Sequence, residues 1–99
     1  MEKEILLTLR ECKEVESGTF TPEGGQTIQY DGYLKVVCDY KDEVLNKIVT
    51  NSFRVDKNNV NLISYLKGLV AGTIILAKVH LQISRSNNLK MYITEAQAE

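Results

Sequence analysis

Hydrophobic and polar residues alternate with period two through most of this chain, and the longest such run lies between Thr27 and Lys41. Ile28, Tyr30, Leu34, Val36, Cys38 and Tyr40 share one parity, while Gln29, Asp31, Tyr33, Lys35, Asp39 and Lys41 share the other. Successive side chains of a strand point to opposite faces, so the run predicts one long, half-buried strand. Gly32 interrupts the apolar row where a bulge or sharp bend would need no side chain, the device by which small barrels turn a corner.

The same pattern recurs on either side. Between Glu4 and Glu14, Ile5, Leu7 and Leu9 alternate with Leu6, Thr8 and Arg10, which predicts a first strand. Residues 16–26 hold Gly18, Pro22, Gly24 and Gly25 and read as a loop, with Phe20 inside it. After a charged turn at Lys41-Asp42-Glu43, Val49, Phe53 and Val55 alternate with Ile48, Thr50, Ser52 and Arg54 in a third strand over Lys47 to Val55. Asp56 to Asn59 offers N-cap residues, and Leu62, Ile63, Leu66, Leu69 and Val70 follow at helical spacing, with Gly72 as the C-cap. From Thr73 to Ser84 the period returns to two, with Ile75, Ala77, Val79, Leu81 and Ile83 on one side. Arg85-Ser86-Asn87-Asn88 is turn chemistry, and Leu89 to Thr94 closes the set with Lys90 and Tyr92 outward. The expected architecture is mainly β: a five-stranded barrel with one helix of roughly three turns between strands three and four.

Composition narrows the class. With 99 residues the chain is one domain's length, and 43% hydrophobic with 25% charged residues and a single proline argues for a folded protein rather than a disordered one. Its most apolar run, Leu69 to Leu76, is too short to span a bilayer, and the first residues do not read as a secretory leader. Cys12 and Cys38 lack the Cys-x-x-Cys spacing of a metal or redox site, so reduced thiols in a cytoplasmic protein are expected. His80 falls on the polar parity with no second histidine or acid at ligand spacing and reads as a surface residue. Phosphate-loop, dinucleotide-binding and zinc-protease signatures are missing, so neither a cofactor nor an enzymatic activity is expected.

Charge is unevenly distributed. Residues 1–43 carry 5 basic and 10 acidic side chains, whereas residues 44–94 carry 7 basic side chains against Asp56 alone, although the formal net charge is only −1. Either one face of the fold is basic, or the halves neutralise each other through cross-strand pairs.

Element order over Ile5 to Thr94 resembles that of the OB-fold. Within that class it is most similar to the small single-stranded-DNA-binding proteins of phages and conjugative elements. The resemblance implies that the face of strands two and three grips the strand, through Tyr33, Lys35 and Arg54, with Phe20 and Arg85 contributed by the flanking loops. A single domain of this size offers few contacts to a strand, so a homodimer or higher homo-oligomer is expected. The C-terminal TEAQAE is mildly acidic but lacks the long linker and acidic-aromatic tip through which cellular relatives recruit partners. The alternative is a small β-barrel protein-interaction module that binds no nucleic acid, because tyrosines serve protein interfaces as well as bases.

Overall fold

A computed structural model describes residues 2–83 and 89–98. Strands β1 (Glu2–Val15), β2 (Gly18–Phe20), β3 (Ile28–Tyr30), β4 (Tyr33–Asp42) and β5 (Lys47–Asp56) precede a single helix, α1 (Val60–Lys67). Strands β6 (Ile74–Ile83) and β7 (Leu89–Ala98) follow it. Five of the strands close a barrel in the order β1-β4-β5-β7-β6, with α1 falling between its third and fourth strands in chain order, as the alternation predicts. β2 and β3 form a separate two-stranded ribbon. No helix among the described residues is long and apolar enough to cross a membrane.

The barrel closes because β1 serves two neighbours. Glu2 to Thr8 pairs with β6, Thr8 to Val15 pairs with β4, and a bulge separates Leu9 from Glu11. An extra residue in one strand shifts its parity. Leu7 and Leu9 face the core before the bulge, and Cys12 rather than Glu11 packs against it afterwards. The turn before β6 is tied to the same place: Gly72 N–H donates to the Leu9 carbonyl (2.7 Å) and Leu9 N–H to that of Thr73 (2.9 Å).

Inside, Leu34, Val36 and Cys38 of β4 meet Phe53 and Val55 of β5, with Ile75, Ala77 and Val79 of β6 and Ile93 of β7 completing a single cluster. Tyr40 is half-buried and meets the Phe53 ring edge-on at 5.9 Å. Leu62 and Leu66, one turn apart on α1, join this cluster and plug one end of the barrel. The Cys12 thiol donates to the Leu66 carbonyl (3.8 Å), and Lys67 reaches Glu14 at the end of β1 (2.6 Å).

Several local expectations are corrected. The run from Thr27 to Lys41 is two strands, broken at Asp31 and Gly32; a Cβ on Gly32 would stand 2.7 Å from the Val15 carbonyl oxygen, so the break depends on a close backbone approach. Its first part leaves the barrel, and Ile28 is exposed instead of buried. Residues 16–26 are not all loop, since Gly18 to Phe20 pairs with Ile28 to Tyr30 around a turn in which Gly25 N–H donates to the Pro22 carbonyl. The helix is 8 residues long and ends at Gly68, not Gly72. Gly72 has φ +94° and belongs to the turn into β6, while Val70, expected on the helix's apolar face, is exposed. Asn59 stands at the N-cap position, but its side chain donates to the Thr94 carbonyl (3.3 Å) and ties the helix start to β7. β7 runs on to Ala98, past the expected end at Thr94, with Ala98 N–H donating to the Tyr65 hydroxyl (2.7 Å).

Candidate nucleic-acid interface

Register determines which side chains stand together on the outside of the barrel. Lys35 of β4 is paired with Lys13 of β1 on one side and with Arg54 of β5 on the other. Arg54 is level with Tyr92 of β7, and Tyr92 with His80 of β6. Directly paired residues point to the same side of a sheet, and strands lie ~4.8 Å apart, so three cations stand side by side within about 10 Å. All three lie opposite to the core parity of Leu34, Val36, Phe53 and Val55.

Tyr33 shares the outward face of β4 with Lys35. The Arg54 guanidinium carbon lies 4.2 Å from the centroid of its ring, a cation–π contact that covers one side of the ring and fixes the guanidinium. A shallow depression of about 350 Å³ gathers Tyr33, Lys35, Ser52, Arg54 and Lys90. Among the described residues the ion pairs are Arg10–Asp39, Lys57–Asp31, Lys67–Glu14 and Lys78–Glu95, so Lys13, Lys35, Arg54 and Lys90 have no acidic partner there. The nearest acids by register are Glu11, opposite Val37, and Asp56, opposite Tyr33. Asp56 accepts from the Asn58 backbone N–H (2.8 Å) and is engaged in starting the helix.

Of the residues expected from sequence, Tyr33, Lys35 and Arg54 converge. Phe20 does not join them: it stands on the ribbon, 60% exposed, beside an equally open Ile28. Arg85 lies outside the described residues. The outward parity of Lys90 and Tyr92 was readable, but nothing local in sequence joined β7 to β5. Lys13 was hidden for another reason. On unbroken alternation it belongs with Ile5, Leu7 and Leu9 on the buried side, and only the bulge at Arg10 turns it outward beside Lys35.

Neither thiol is arranged for nucleophilic chemistry. Burial, with smaller contributions from Cys12 and Asp39, pushes the Cys38 thiol up to about 12. Burial and then the Glu11 charge raise that of Cys12 as well, so both remain protonated at neutral pH. Asp39, in contrast, accepts hydrogen bonds from Thr50 and Arg10, which hold its carboxyl below the usual range.

No family model matches the chain, and no curated protein or solved structure is significantly similar to it.

Proposed function

We propose that this protein binds single-stranded nucleic acid, DNA in the first instance, without catalysing a reaction on it. The observation that carries this reading is the row Lys13–Lys35–Arg54, three cations in register with no acid between them. Like charges directly opposite one another destabilise a sheet, so the row costs stability unless an anion lies along it. A phosphate backbone is such an anion, and Tyr33 and Tyr92 flank the row with rings on which bases can stack. A five-stranded barrel with a helix between its third and fourth strands is also an architecture that presents its second and third strands, here β4 and β5, to oligonucleotides. Few contacts are available on one copy, so useful affinity calls for several copies along a strand.

Fluorescence anisotropy of a labelled oligo(dT) tests this. Binding at about 50 mM salt should weaken with added salt at a log–log slope of roughly −2 to −3, as expected when three or four phosphates are neutralised. Lack of binding at that salt, or binding indifferent to salt, overturns the proposal.

A further inference from the structure

Tyr33 belongs to two depressions at once. One is the cationic depression already described; the other is a groove of about 690 Å³ between α1 and the adjoining ends of β1 and β4. Arg54 lines the first and not the second. Tyr33 is therefore the residue common to the two, and the guanidinium that covers one face of its ring belongs to the cationic depression alone.

The two depressions differ in chemistry. Val15, Leu34, Val60 and Ile63 give the groove an apolar lining, and Ser64 adds a hydroxyl. Its two cations are already neutralised, Lys67 by Glu14 (2.6 Å) and Lys57 by Asp31 (3.1 Å), and Glu16 adds an acid to the lining. Such a rim repels phosphate and offers nothing to attract it. A flat, uncharged group with polar edges suits it, and a volume within the range of small-ligand sites leaves room for one.

We propose that the groove is a nucleobase pocket. The backbone of a bound strand stays on Lys13, Lys35 and Arg54, while one base turns over the Tyr33 ring and stacks on the side that Arg54 leaves uncovered, against Val60 and Ile63 of α1. This rests on the single-strand reading above and adds to it where the base goes.

Binding of two strands of equal length separates the two ideas: oligo(dT), and the same backbone with abasic sites in place of the bases. Ser64→Trp fills the groove from an exposed position of the helix, and Val60→Glu places an anion at it from a side chain 62% exposed. Thermal melting by circular dichroism verifies that each variant is folded. The parent should prefer oligo(dT), and both variants should lose about 5- to 150-fold of that affinity, the range of one base stack. Ser64→Trp should leave the salt slope and abasic-strand binding unchanged, whereas the added anion of Val60→Glu should also weaken abasic-strand binding, by less than it weakens oligo(dT). Lys35→Ala should weaken both strands together. If folded Ser64→Trp and Val60→Glu keep the parent's preference for oligo(dT), the pocket assignment is wrong although the single-strand reading stands. Should the parent bind neither strand, the underlying reading fails first.

Discussion

Two lysines on ten-residue strands of the barrel have opposite surroundings. Lys78 of β6 is paired with Glu4 on one side and Glu95 on the other, and the Glu95 carboxylate 3.2 Å away raises its pKa. Lys35 of β4 is paired with a lysine and an arginine. Both are partly exposed outward residues of the same barrel, so the contrast is not one of burial. One position follows the ordinary rule that cross-strand charges alternate, and the other breaks it. The uneven charge along the chain is partly neutralised between the halves, by Lys57 with Asp31 and Lys67 with Glu14, whereas the unpaired basic row takes two of its three cations, Lys13 and Lys35, from the acid-rich half.

The largest change should come from removing what both surfaces share. Leu66 is fully buried where α1 plugs the barrel, so Leu66→Ala should cost ~2–5 kcal/mol in chemical denaturation. A loss below about 1 kcal/mol would show that the two faces do not depend on this core. Next comes Tyr33→Ala, which should leave the fold nearly intact while removing ~1–3 kcal/mol of oligonucleotide binding. Unchanged affinity would leave the cationic row without its ring and the contrast without its ligand.

Smaller and more specific is the exchange of the two lysines. Lys35→Ala should reduce the salt slope of strand binding by roughly 0.7, one phosphate contact, whereas Lys78→Ala should not alter it. Equal effects would mean that the field of the whole protein, rather than this row, attracts the strand. Smallest is the acid response of Asp39. Its pKa is lowered in the fold, so its contribution is present at neutral pH and is lost as pH falls through that lowered value. Asp39→Asn should therefore flatten the decline in stability below about pH 4, read by denaturation at stepped pH. An identical decline in the variant would assign acid sensitivity to other carboxylates.

How much of this was legible in sequence follows from how local each feature is. Leu34, Val36 and Cys38, or Ile75, Ala77 and Val79, alternate within a single strand and are recovered from period alone. Leu62 and Leu66 are one helical turn apart and equally plain. The helix end was misplaced because Leu69, beyond it, still packs against the core and prolongs the apolar period past Gly68. Tyr33, Lys35 and Arg54 can be placed on one face from sequence because β4 and β5 are neighbours in sequence as well as in space. Lys13, Lys90 and Tyr92 depend on pairings between distant segments, and for Lys13 on a single inserted residue, which no local window reports.

The seam between β5 and β7 has one further consequence. These strands run parallel and, among the described residues, share a single registered pair, Arg54 with Tyr92, whereas β4–β5 and β6–β7 are paired along their lengths. In terms of breathing, the barrel is a five-stranded sheet whose two outer strands are latched at one point, and amides there should be the first of the wall to exchange with solvent. Arg54, one half of the latch, is also where the basic row ends, so a strand that continues from the row onto Tyr92 would bridge the seam, and slowed exchange at β5 and β7 would record its presence.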